Sequence, residues 1–343
     1  MKRYIVLAAL LLTAAFSATA QMMPDSTVQV VAYWDKGDKV LYETESKGTK
    51  VHQTQKDTTE TSLMNVKEVW TLEVTDQTDT SYILRMIYDD NPISSSDCDL
   101  STRISSHFMY KVRPEWRTDE YGKLKTFENL FEECDRLKPI FKKTGEDYLK
   151  KEGRKLKAEE KKQAEQLISG MQYILESEPS KLVSILSTEI IPLQEFHGSR
   201  LDTTETYYRK TTIDRIYGNS FEADEEIWVD SEMSDSTFVV IRAYSELDSD
   251  TLMPYLEQTI MDNFRQELAD EDQYEEAFGN FLQVAAEKHT EPSLEQYKIW
   301  QIHLPTGWTT FYGRRIVLTV KDDEQTLINT IDVETTLTEQ LKY

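Results

Sequence analysis

The chain has 343 residues and carries 62 Asp/Glu against 39 Lys/Arg, a formal net charge of −23. A field of that sign repels phosphate backbones and anionic bilayers, which excludes nucleic-acid binding. There are only 11 glycines and 2 cysteines; no glycine-rich phosphate loop is present, and two cysteines cannot build a zinc cage alone.

The first segment in chain order reads as a signal peptide over residues 1–20. Lys2 and Arg3 form a charged start, Ile5 to Phe16 is an apolar run too short to span a bilayer, and Ala18-Thr19-Ala20 supplies small residues before a cut at Gln21. The mature chain is therefore expected to be exported, to the periplasm or beyond the cell. No later stretch reaches eighteen apolar residues, so no transmembrane segment is expected in it.

Residues 26–112 read as β-structure. Val28, Val30 and Ala32 alternate, as do Val40, Tyr42 and Thr44, and then Tyr82, Leu84, Met86 and Tyr88. β-branched and aromatic content is high, which favours long, half-buried antiparallel strands. Asp89-Asp90-Asn91-Pro92 closes this set. Phe108 to Val112 and residues 117–127 are expected to form a hairpin, with Asp119-Glu120-Tyr121-Gly122 as a turn.

The middle turns helical. Thr126 is read as the cap of a helix bearing Phe127, Leu130, Phe131, Cys134 and Leu137 on one stripe, with Pro139 either breaking or bending it. From about Lys157, Ala164, Leu167, Ile168, Met171 and Leu175 recur with helical spacing. A third helix runs from Ser180 to a stop before Pro192. Strands resume from about Thr203, and Asp250 is read as the cap of a second helical block. Three strands, Tyr297–Leu304, Thr309–Val320 and Thr326 to about Thr336, end in a polar tail expected to fray.

Strands come in runs rather than alternating singly with helices. The expected class is α+β, with long curved antiparallel sheets, half-barrel-like, and helices covering one face. Two β-rich halves, 21–195 and 196–343, each carry a helical block; one continuous domain is the alternative. An internal echo supports the halves: Glu68–Tyr88 and Glu226–Tyr244 share Trp, a polar turn and an alternating strand ending in Tyr. They align Asp79 on Asp235 and Trp70 near Trp228. Strand propensity alone also enforces such likeness. An oxidising compartment allows one disulfide, Cys98 to Cys134; two free thiols are the alternative.

Catalytic signatures are missing. The five His residues (His52, His107, His197, His289, His303) fall in no zinc-hydrolase spacing, and no nucleophile elbow occurs. Acid runs such as Asp224-Glu225-Glu226 cannot be recognised as a glycosidase pair among 62 acids. No catalytic residue, metal or cofactor is assigned. What remains is an excess of aromatic residues on strands. Trp70, Tyr82, Trp228, Phe238, Trp300, Trp308 and Phe311 are read as candidates for lining an apolar-ligand cavity, with His303 to Gly313 as its mouth; ordinary core packing is the competing reading.

The leader, the Thr-rich strands, "RTDEYGKLKTFEN" at 117–129 and "LPTGW" at 304–308 resemble uncharacterised exported proteins of Bacteroidota-type bacteria. The order of strands and helices is similar to the half-barrel of periplasmic lipoprotein carriers of the LolA/LppX kind, although two halves in one chain depart from that pattern. The resemblance implies a non-enzymatic carrier for a lipid or other apolar molecule. The alternative is an envelope protein that binds another protein through its acidic surface.

Overall fold

A computed structural model describes residues 26–88, 100–216, 219–267 and 271–341. The leader, the 89–92 turn and Cys98 lie outside the described residues. Thirteen strands are described, β1 (Thr27–Gln29), β2 (Lys39–Thr54), β3 (Thr58–Thr78), β4 (Ser81–Tyr88), β5 (Glu115–Thr118), β6 (Leu124–Phe127), β7 (Arg200–Asp202), β8 (Thr206–Ile216), β9 (Asn219–Val229), β10 (Phe238–Leu247), β11 (Glu291–His303), β12 (Thr309–Lys321) and β13 (Gln325–Leu341). The helices are α1 (Leu100–Met109), α2 (Leu130–Lys151), α3 (Ala158–Ser177), α4 (Pro179–Gln194), α5 (Ser249–Glu267) and α6 (Glu271–Glu287).

Eleven strands make one open antiparallel sheet in the order β6-β5-β4-β3-β2-β13-β12-β11-β10-β9-β8. β1 and β7 pair separately. The two sequence halves join in the middle of the sheet, where β2 pairs with β13 from Lys39↔Leu341 to Thr54↔Gln325. The polar C-terminal tail therefore does not fray at residue 336. It continues as strand to Leu341, because its backbone groups find partners on Lys39–Leu41.

Both helical groups cover the same face. On this inner face the apolar side chains form two clusters. The larger joins Trp70, Tyr82, Leu84, Ile241, Trp300 and Tyr312 to α1–α4. The smaller joins Phe221, Leu247, Leu294 and Ile316 to Leu252 of α5. Between them, at the middle of β8–β12, the alternation places polar residues: Arg209, Glu225, Ser245, Gln296, Lys298 and Arg314. Among the described residues no helix is long and apolar enough to cross a membrane.

Five local expectations are corrected. Phe108 is fully buried near the end of α1, not on a hairpin; only β5 and β6 form one, around Gly122 with φ 93°. Thr126 lies in β6, and Asn129 precedes α2 instead. Pro139 sits inside α2 without ending it, because Cys134, Leu137, Phe141 and Tyr148 bury one stripe on both sides of it. α4 runs past Pro192, because sheet side chains satisfy its last carbonyls: Trp300 Nε1 donates to Pro192 O at 2.9 Å and Thr309 Oγ1 to Leu193 O at 2.6 Å. The cap of α5 is Asp248, whose Oδ1 accepts the Thr251 amide at 2.9 Å, rather than Asp250.

Candidate functional site

The structure separates the seven aromatic candidates into two groups. Trp70, Trp300 and Trp308 are at most 2 % exposed, and Tyr82 is buried with its hydroxyl on Ala32 O at 3.3 Å. These four are core. Trp70 stacks on Tyr42 with centroids 4.6 Å apart and donates to Thr44 Oγ1 at 3.1 Å. Trp228 and Phe311 lie on the opposite face, which carries no helix among the described residues, and line one depression. Phe238 is on that face too, farther along β10, packed against the His303 ring at 5.2 Å.

The expected cavity mouth at 303–313 is sealed. The turn between β11 and β12 is covered by the segment entering from β1. Gly307 has φ 74°, and a Cβ there would stand 2.3 Å from Val31 O. Trp308 stacks on Trp34 of the same segment, centroids 4.4 Å apart. His197 donates Nε2–H to Gly307 O at 2.7 Å; burial pulls its pKa down to about 4, against the opposing pull of the Gly307 and Gln194 carbonyls and of Asp119.

The depression is open, about 840 Å³, and spans β9–β13. Strand alternation builds it. Facing residues run Trp228↔Arg242↔Ile299↔Gly313↔Glu334 in one row and Glu226↔Tyr244↔Tyr297↔Arg315↔Asp332 in the next. Gly313 makes the hollow, since a Cβ there would come within 2.9 Å of Ile299 Cγ2 and 3.0 Å of Phe311 Cε1. Tyr244 and Tyr297 form the aromatic floor with centroids 4.9 Å apart. Tyr244 OH donates to Glu246 at 2.8 Å, and burial together with the Glu246 and Glu295 carboxylates drives its pKa strongly upward.

The two arginines of this face are already engaged. Arg242 Nε donates to Asp230 Oδ2 at 2.6 Å, and its guanidinium holds the Asp230 carboxyl below the usual carboxylate range. Arg315 Nε donates to Asp332 Oδ1 at 2.5 Å, which raises the guanidinium pKa further. Glu226 and Glu334 on the rim are exposed and have no ion-pair partner among the described residues. The uncommitted groups of the depression are thus aromatic faces and carboxylates. Such a surface accepts cations and hydrogen-bond donors mounted on apolar stems. Among the described residues no group of three or more His, Cys, Asp and Glu is placed to hold a metal ion.

Trp70 and Trp228 do not occupy equivalent positions. The two hairpins exist, as β3–β4 and β9–β10, but the first turns its Trp and Tyr inward and the second outward. The duplication expected from the echo fails on this point, and a common preference for aromatic strands accounts for the likeness. Cys134 is buried on α2 as a free thiol, and burial raises its pKa; its suggested partner Cys98 lies outside the described residues.

No family model matches the chain, and no curated protein matches it. Among solved structures, one described as lipid–protein interactions in lipovitellin is similar at a TM-score of 0.32 and 7% identity, over 90% of this chain and 26% of that one. The chain thus spans about a quarter of that structure's length. Ail, the attachment invasion locus protein of Yersinia pestis, is similar at a TM-score of 0.13 and 3% identity, over 88% of this chain and 99% of that one.

Proposed function

We propose that this is an exported, non-catalytic binding protein whose ligand lies on the face of the sheet opposite the helices, over Gly313. The ligand class is an extended, basic segment of another protein. The observation that carries the reading is the pairing of an aromatic floor, Tyr244, Tyr297, Trp228 and Phe311, with exposed rim carboxylates Glu226 and Glu334 that form no ion pair within 4 Å among the described residues. Lysine or arginine stems would cover the rings while their charged ends reach the carboxylates. The net charge of −23 would steer such a partner to the surface and make the encounter salt-sensitive.

Isothermal titration calorimetry with a synthetic peptide alternating Lys and Leu tests this. Saturable binding that weakens as sodium chloride rises, and that Glu226→Gln with Glu334→Gln abolishes, supports it. Peptide binding that those substitutions leave unchanged removes the depression from the account.

A second reading keeps the lipid carrier implied by the half-barrel resemblance. Trp228, Ile299 and Phe311 offer an apolar strip in the same depression, which would take the tail of an amphipathic molecule. Native mass spectrometry separates the readings: a retained lipid supports the carrier, and a bare chain that still binds the peptide supports the protein partner.

A further inference from the structure

The polar belt on the inner face points to a second site, for a small monovalent anion. It lies between the two apolar clusters, on the strands that carry the depression but on their opposite side. Glu225, Ser245 and Gln296 form its floor, and each is 1 % exposed. Ser245 faces Glu225 on one side and Gln296 on the other. Lys298 and Arg209 stand over Glu225, with Nζ–Oε1 at 2.8 Å and Nε–Oε2 at 2.6 Å. Arg209 also reaches Glu195, just past α4. Arg314 donates Nε–H to Gln296 Oε1 at 2.8 Å.

The hydrogen-bond inventory is unbalanced in one direction. Glu225 has both oxygens occupied by cations. The Gln296 amide must turn its oxygen to Arg314, because the reverse orientation would set two donors against each other. That leaves Gln296 Nε2, with two protons, buried without a protein acceptor. Ser245 Oγ is likewise buried without a partner. Arg314 is half-buried and makes no ion pair with any described carboxylate. Buried donors left unmatched lose their hydration without replacement, so native proteins rarely leave them so. Charge tips the same way: Arg209, Lys298 and Arg314 outnumber Glu195 and Glu225 by one, inside a chain that is otherwise strongly acidic.

We propose that a monovalent anion of halide or formate size sits on this floor, accepting from Gln296 Nε2, Ser245 Oγ and the Arg314 guanidinium, and neutralises the belt. It would act as a structural ligand that joins the two clusters across one sheet. A Gln296→Glu variant supplies the missing acceptor covalently at almost unchanged volume.

Thermal unfolding is followed while sodium formate or sodium bromide is titrated at constant ionic strength, with sodium gluconate, whose anion is too large for the floor, as the balancing salt. The melting temperature of the wild-type protein is expected to rise by a few degrees and saturate. The response is expected to vanish in Gln296→Glu, which should already melt higher than wild type without added anion. Crystals grown in bromide should give an anomalous peak within hydrogen-bonding reach of Gln296 and Ser245. The proposal is overturned by a wild-type response that does not saturate, by an equal response in Gln296→Glu, or by an anomalous map with water alone on this floor.

Discussion

Trp34 and Trp308 stack at 4.4 Å and 19°, clamping the segment that leaves β1 onto the turn between β11 and β12. Both are 2 % exposed, and Tyr82 and His197 pack against Trp34 at 5.3 and 5.4 Å. Strands distant in sequence are locked together there. Trp308→Ala is therefore expected to lose about 3–5 kcal/mol of stability, the usual cost of emptying a buried aromatic site. Urea unfolding followed by far-UV circular dichroism checks this; a loss below about 1 kcal/mol would show that the clamp does not carry the packing.

His197 gives the fold a pH dependence of definite sign. Burial pulls its pKa down to about 4 in the folded protein, from 6.5 for an ordinary histidine. Above 6.5 it is neutral in both states and costs nothing. Between 6.5 and 4 the unfolded chain takes up the proton and the folded one does not, so stability falls as pH drops through that window. The loss should approach about 3 kcal/mol near pH 4, on the order of 1.4 kcal/mol per pKa unit. Chemical denaturation at pH 7 and pH 4.5, with His197→Gln as the control, should show a smaller drop in the variant. Equal drops in the two proteins would assign the effect to carboxylates instead.

Much of the architecture is legible in the strand patterns. Antiparallel runs, the α3 stripe and the last three strands follow from alternation and helical spacing. The facing of β10 was not legible, because Val239, Val240 and Ile241 are apolar in a row and the echo suggested the facing of β4. Aligning Asp79 with Asp235 puts Arg85 opposite Ile241 and Met86 opposite Arg242. In the structure Arg85 faces out while its aligned counterpart Ile241 faces in, so the two strands bury opposite parities, and a one-residue slip moves every side chain to the other face. The aromatic residues alone could not show this. Neither Pro139 nor Pro192 ends its helix, for a different reason: tertiary contacts around them outweigh the lost helix hydrogen bond. The polar belt was written as Glu225, Ser245, Gln296 and Arg314 at inward positions. It becomes visible only once strand register sets those residues side by side.

Gly313→Val should fill the hollow. Its first carbon alone would press on Ile299 and Phe311. Peptide affinity in calorimetry is expected to fall at least tenfold, about 1.4 kcal/mol, with the far-UV spectrum unchanged. Undiminished affinity would mean the ligand does not enter over Gly313.

Cys134 should resist thiol reagents in the native protein, since burial hides it and raises its pKa. Denatured, unreduced protein should then release this thiol to the reagent in full. A denatured chain with no reactive thiol would instead establish the disulfide with Cys98.

Trp228 offers the most direct test of the binding face. Of the six tryptophans, Trp34, Trp70, Trp116, Trp300 and Trp308 are each at most 2 % exposed, so acrylamide should quench Trp228 almost alone. Stern–Volmer titration with and without the Lys–Leu peptide reads occupancy of the depression. The account predicts that the peptide removes most of the accessible quenching and that Trp228→Phe has little quenching to lose. A peptide that binds while Trp228 stays as accessible as before would contradict it.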